Sequence, residues 1–241
     1  MVTLALDTSH PVGSVALARD GSVLGTERFQ EPSTHLVSLG HAVDHLLASV
    51  SLTPAGIDRI AVVTGPGSFT GLRIGLSFAK GLHAARATPL VTINALHLLA
   101  LPLLGRGRVC AMIDARRGEV YAAIYERDPS ADAAHPAAAR EVSAPHARTP
   151  ETWLATLDSA PDVFVGTGVA AFRAPITAAF PGAFIAEEIY PSTAHLASIA
   201  HRLAPLEEAA VRTLEPFYVR PSGAERKRLR THGRLPEGAD G

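Results

Sequence analysis

One stretch constrains this chain more than any other: Gly65-Pro66-Gly67-Ser68-Phe69-Thr70-Gly71-Leu72-Arg73-Ile74-Gly75. The apolar run before it, Ile60-Ala61-Val62-Val63, reads as a buried strand. An uninterrupted helical stretch from about Thr70 to Arg86 follows it. Strand, glycine turn and helix together make backbone N–H groups converge. Such a place holds an anion or lets another chain come very close. The loop matches no standard phosphate motif. No Gly-Lys-Ser/Thr follows the glycines, as a P-loop requires. No acidic residue stands at the dinucleotide distance, and Pro66 and Thr70 stand where a nucleophile elbow needs glycines. The plain alternative is a tight turn whose glycines supply unusual dihedrals.

The helix after the turn is apolar nearly all round. Leu72, Leu76 and Ala79 fall on one side and Ile74, Phe78 and Leu82 on another, so burial on two sides is expected. Gly71, Gly75 and Ala79 form a stripe of small residues where a second helix can come close. Glycine inside a helix costs about 1 kcal/mol against alanine, so Gly75 and Gly81 point to tight packing. Upstream, Pro32-Ser33-Thr34 opens another helix, with Ser33 or Thr34 as its cap. Its apolar face is Leu36, Leu39, Val43, Leu46, Leu47 and Val50. His41 and His45 lie on a different face, four residues apart. Two imidazoles at that spacing suit a metal, but Asp44 points away and no third ligand completes the set, so no metal site is expected.

Before these helices, Val2 to Leu6, Ser14 to Arg19 and Ser22 to Phe29 read as strands, the last two joined by an Asp20-Gly21 hairpin turn. Asp7-Thr8-Ser9 closes the first strand. Pro89 to Ile93 is a further strand, and Asn94 to Leu103 a short helix. After a hinge at Gly105-Arg106-Gly107, the runs Val109 to Asp114 and Glu119 to Glu126 flank Ala115-Arg116-Arg117-Gly118, like a second, shorter copy of the opening unit. Asp128 to Pro150, rich in Ala, Pro and His, reads as a variable surface excursion. Asp162 to Val165 is a strand running into Gly166-Thr167-Gly168, and Ser192 to Leu203 a capped helix. The expected organisation is a first lobe over 1–104, a smaller lobe over 105–220 and a basic, flexible tail over 221–241.

The 241 residues are 47% hydrophobic, enough for a substantial core, and carry a formal net charge of −1. No global field attracts nucleic acid, so such contact needs a local patch. The tail supplies one, with Arg220, Arg226, Lys227, Arg228, Arg230 and Arg234 against Glu225. Cys110 is the lone cysteine, so neither an internal disulfide nor a zinc cage is available. No signal peptide opens the chain and no apolar run reaches the length of a membrane span, so a cytoplasmic protein is expected.

Asp7-Thr8-Ser9 between strands resembles the start of an actin-like or Hsp70-like ATPase domain, where an acidic residue and a hydroxyl face nucleotide phosphates. Four segments together resemble the TsaB (YeaZ) family, which works in making N6-threonylcarbamoyladenosine in tRNA. They are Leu4-Ala5-Leu6-Asp7-Thr8-Ser9, the run from Gly65 to Gly75, Ile113-Asp114-Ala115-Arg116-Arg117-Gly118-Glu119-Val120-Tyr121, and Glu215-Pro216-Phe217-Tyr218-Val219-Arg220. The second and third together are specific, and the likeness spans nearly the whole chain except Asp128 to Pro150.

The resemblance implies a two-lobed α/β fold of the actin-like/Hsp70-like (ASKHA) type with a duplicated sheet. It implies a degenerate paralogue of the catalytic subunit TsaD, whose His-x-Glu-x-His metal motif corresponds here to Ile93-Asn94-Ala95-Leu96-His97. Only His97 remains, so no catalytic residue and no metal are expected. The implied role is a non-catalytic activator that pairs with TsaD, works with TsaE, meets tRNA only through the complex and forms a homodimer when alone. No cofactor is expected on this chain alone, with ATP or ADP left to the complex interface. The expected interface is Leu36, Leu39, His41, His45, Phe69, Gly71, Leu72, Ile74, Gly75, Phe78, Ala79 and Leu82. Residues that would face a nucleotide are Asp7, Thr8, Ser9, Arg116 and Arg117. The competing reading is an independent ATPase or kinase. A metalloprotease is disfavoured, because no His-Glu-x-x-His is present.

Overall fold

In the computed structural model, residues 1–30, 35–132, 135–157, 159–187 and 189–219 are described, the side chains of residues 35 and 36 excepted. Two five-stranded sheets share one topology. The first contains β1 (Val2–Asp7), β2 (Gly13–Arg19), β3 (Ser22–Phe29), β4 (Arg59–Val63) and β5 (Leu90–Ile93), in the order β3-β2-β1-β4-β5. The second contains β6 (Val109–Arg116), β7 (Glu119–Arg127), β8 (Ala139–Arg148), β9 (Val163–Gly166) and β10 (Phe184–Glu187), in the order β8-β7-β6-β9-β10. In each, three antiparallel strands are followed by two parallel ones. This is the duplicated sheet of the two-lobed α/β fold expected from the sequence.

Strand β1 shows why the first sheet is covered on both faces. All six of its residues are buried, and alternation sends Val2, Leu4 and Leu6 to one side and Ala5 to the other. The Leu4 side packs under α1 (His35–Ser49) and α2 (Phe69–Arg86), through Leu39, Val43, Leu46 and Leu47 of α1 and Leu76 and Ala79 of α2. The Ala5 side shares a core with α3 (Ala95–Ala100), the second sheet and α7 (Thr193–Ile199). The outer face of the second sheet is closed by α4 (Pro150–Leu154), α5 (Thr167–Ala171) and α6 (Arg173–Ala179), around Phe164, Trp153 and Ile176.

Three sequence expectations change. The Asp128 to Pro150 segment is not merely a surface excursion, because it contains the ten-residue strand β8 paired to β7. Its composition hides it: Ala, Arg, Glu, Pro and His are poor strand formers, and the ladder with β7 supplies what propensity does not. As an edge strand it also tolerates Pro145. The helix after Asn94 stops at Ala100 and passes into a 3-10 turn over Leu101–Arg106, where Pro102 stands. Finally, the chain does not stay in its second lobe. Residues from α7 onward return to the first sheet, where Arg59 Nη1 donates to Ala200 O and Leu203 O at 2.8 and 2.7 Å. Beyond α7, Leu206 N donates to Leu90 O, and Phe217 N to Thr64 O, each at 2.8 Å. The short α8 (Glu208–Thr213) lies between these two anchor points. A boundary at 104/105 is thus crossed by packing. The tail 221–241 and Arg220 lie outside the described residues.

Candidate functional site

Equivalent turns of the two sheets build the centre of the molecule. Asp7, ending β1, accepts from Ser9 N through Oδ1 at 2.8 Å. Asp114, at the same place in the second copy, accepts from Arg116 N through Oδ1 at 2.7 Å. One oxygen of each carboxylate closes an Asx turn, while the other faces His10 Nδ1 at 3.9 Å in Asp7 and Arg116 Nη1 at 3.8 Å in Asp114. The strands that follow in each sheet also end alike, with Gly65 and Gly166 both at φ +116°.

The N-terminus of α2 rests on the first of these turns. Ser68 N donates to Ser9 O at 2.7 Å, and the Ser68 hydroxyl caps the helix by accepting from Gly71 N. Three glycines make this approach possible. A Cβ would stand 2.3 Å from Ser9 O at Gly67, 2.0 Å from Thr8 O at Gly71 and 2.2 Å from Thr8 Oγ1 at Gly75. The stripe of small residues is therefore filled from within by the Thr8 turn. This corrects the expectation that Gly71, Gly75 and Ala79 receive a partner helix: all three are buried, as are Leu39 and Leu72. The periodicity gave the spacing but could not say which chain fills it.

The expected nucleotide residues divide in the same way. Asp7, Thr8 and Ser9 are buried, and their polar groups serve the turn. A cleft of about 650 Å³ lies between the lobes, lined by Ser9, His10, Ser68, Thr70, Arg116 and Tyr190 among others. Asp7 and Thr8 do not line it, Arg116 does, and Arg117 is exposed elsewhere on the turn. His10 was missed in the sequence, where it reads as a loop residue. Its Nδ1 lies 2.7 Å from Ser9 Oγ.

On the outer surface, His41 and His45 are exposed, and His45 Nδ1 lies 2.8 Å from Glu27 Oε2. Ile74, Phe78 and Leu82 are half-buried against the core, while Phe69 is 40% exposed. Val37 of α1, absent from the sequence-based set, is 56% exposed. The side chain of Leu36 lies outside those described. Phe69 stacks on Tyr218 at 5.1 Å, with the Arg73 guanidinium 4.2 Å above its ring and Arg73 Nε donating to Tyr218 Oη. The helix is thus held to the chain's return segment at its first turn.

Among the described residues no group of three or more His, Cys, Asp or Glu is placed to hold a metal ion. Ile93 and Ala95 are buried apolar positions. His97 Nε2 donates to Pro136 O at 2.9 Å, its ring meets Tyr125 at 5.4 Å, and burial holds its imidazole below the usual value. No described helix is long and apolar enough to cross a membrane.

Comparison with known proteins places this arrangement. Residues 31–227 match the family model described as TsaD: tRNA N6-adenosine threonylcarbamoyltransferase. The chain is 30% identical over 231 residues to the tRNA threonylcarbamoyladenosine biosynthesis protein TsaB of Haemophilus influenzae, covering 91% of this chain and 94% of that one. It is 36% identical over 129 residues to TsaB of Bacillus subtilis, a match that covers 52% of this chain and only 56% of that relative. Among solved structures, YeaZ from Pseudomonas aeruginosa superposes with a TM-score of 0.71 at 28% identity, over 90% of this chain and 99% of that one.

Proposed function

The chain belongs to the TsaB (YeaZ) family, and on that premise we propose that it serves the formation of N6-threonylcarbamoyladenosine in tRNA as the non-catalytic partner and activator of a TsaD-type transferase. The observation that carries this reading is the state of the segment from Ile93 to His97. Where a His-x-Glu-x-His motif would present metal ligands, two positions are apolar core and the third is bonded to the carbonyl of Pro136. A single imidazole turned to a backbone carbonyl does no metal chemistry.

The docking surface is the outer face of α1 and α2, with Val37, Phe69, Ile74, Phe78 and Leu82 as its apolar part and His41 and His45 beside them. Alone, the chain covers this face with a second copy of itself. In the complex it works with TsaE, meets tRNA only through its partners, and leaves any ATP or ADP to the subunit junction. The compartment is the cytoplasm. The independent ATPase reading loses its main support, because the Asp7 and Thr8 side chains are engaged in backbone hydrogen bonds.

The test is size-exclusion chromatography with light scattering of the chain mixed with TsaD from the same organism. A stable mixed species is expected. Two separate peaks, with or without nucleotide, would overturn the reading.

A further inference from the structure

We propose that the groove between β8 and α4 binds a small hydroxycarboxylate, its carboxylate held by Arg148 and its hydroxyl by the imidazole of His146. The inference goes beyond the partner role and does not depend on it. The groove, of about 510 Å³, lies on the outer face of the second sheet, on the side of Ile124 and Trp153. Its starting point is a buried nitrogen with nothing to do. His146 Nδ1 lies 3.2 Å from Ala144 O, and a carbonyl only accepts, so Nδ1 carries a proton. Burial first, and the Arg148 charge as well, hold the imidazole below its usual value against that hydrogen bond, so the ring keeps this one proton only. Nε2 is then a bare lone pair, buried and without a hydrogen-bond partner. Buried polar atoms left unmatched are rare in folded proteins and call for an explanation.

The charges around this lone pair select the rest of the ligand. Among the described residues no Asp or Glu lines the groove. Arg108 lines it, but its Nε faces Glu126 Oε1 at 3.4 Å, so that charge is answered. Arg148 lines it as well and makes no ion pair with a described residue, so its guanidinium is the unmatched charge and takes an anion. A carboxylate alone would leave Nε2 unmet, since both are acceptors. An ammonium would give Nε2 a donor but would stand beside guanidinium groups with no carboxylate in the lining. A hydroxyl on the anion supplies the donor without a second charge.

The walls call for an organic body. Ile124, Trp153 and Leu157 give the groove an apolar floor, and the edge position of β8 leaves it open on one side. The His146 ring leans on Trp153, with centroids 4.8 Å apart and planes at 47°. As the ring lies, Nε2 is shut off from solvent. A swing of its edge off Trp153 into the groove brings Nε2 to the ligand hydroxyl. The Thr156 hydroxyl is committed to Trp153 O at 2.7 Å, which leaves that of Ser143 as a further donor to the carboxylate.

The experiment titrates the full chain by calorimetry with mandelate and, separately, with phenylacetate, which has the same ring and carboxylate but no hydroxyl. Two variants accompany it, His146→Phe, which keeps a ring against Trp153, and Arg148→Gln, at an exposed position. Saturable binding of mandelate is expected, about tenfold tighter than phenylacetate, the worth of one hydrogen bond. His146→Phe should abolish that preference, and Arg148→Gln should weaken both acids about tenfold as a charge-assisted bond is lost. No saturation with mandelate, equal affinity for the two acids, a preference that survives His146→Phe, or unchanged binding in Arg148→Gln would overturn the proposal. Should His146→Phe fail to fold, the imidazole nitrogen signals of wild-type His146 decide it: mandelate should shift Nε2, and an unmoved signal at saturation would overturn the assignment.

Discussion

The Thr8 hydroxyl donates to the carbonyl of Gly71 at 2.7 Å, and a Cβ on Gly71 would stand 2.0 Å from the Thr8 carbonyl oxygen. The first turn of the chain and the first turn of α2 are therefore fitted backbone to backbone. Gly71→Ala has no flexible neighbour to push aside, so it forces the helix off the turn. A loss of about 3 kcal/mol is expected, at the upper end of overpacking costs. A urea midpoint equal to that of the wild type would refute this.

Gly81 sits in the same helix with the opposite environment, since a Cβ there meets nothing within 4 Å. Gly81→Ala removes the unfolded chain's extra freedom and fills no occupied space. It should stabilise by about 0.5 to 1 kcal/mol. A destabilised variant would show that the position needs glycine for a reason the fold does not display.

The exposed apolar residues test the docking face without touching the core. Val37→Asp alters a side chain that is 56% exposed and should change the unfolding midpoint little, Phe69→Asp also gives up the Tyr218 stack and the Arg73 contact and should lower it, and in both co-elution with TsaD is lost or weakened about tenfold. The same variants should shift the isolated chain toward a monomer in light scattering. If both retain wild-type complex formation, the partner sits on another face.

His83 ties α2 to the return segment, and only the charged ring makes both of its hydrogen bonds at once. Its Nδ1 faces Thr88 O and its Nε2 faces Glu208 Oε2, both at 2.9 Å, and both partners are acceptors. The Thr88 carbonyl first, then the Glu208 carboxylate, raise the imidazole above its ordinary 6.5. A raised folded value means the stabilisation is fully present below about 6.5 and fades as pH rises through that higher value. The gap in urea midpoint between wild type and His83→Gln should therefore be wide at about pH 6 and narrower at about pH 8. An equal gap at both would remove the charged pairing from the account.

Much of the fold was legible because its signals are local. β1, the Asp20-Gly21 hairpin, β4 and the long α2 all announce themselves through alternation, turn residues or helical spacing, and the duplication follows from their order. β8 was not legible, since its residues are strand only because β7 lies beside them. The glycine run left an anion, a second chain and a plain turn open; what approaches it is the chain's own Thr8, more than sixty residues upstream, which no periodicity names. His10 carried no signal at all, because its isolation becomes visible only when the atoms around Nε2 are placed.

The return of the chain to its first sheet sets an order of events during synthesis. β4 and β5 wait for partners at Leu206 and Phe217, and β1 and β2 wait for α7 to cover them. Residues 1–104 leave the ribosome with that face of their sheet covered only by α3. At ordinary elongation speed the remaining stretch up to Phe217 takes on the order of ten seconds. Through that interval the nascent lobe has α1 and α2 on one side and α3 alone on the other, so the part translated first is the part completed last.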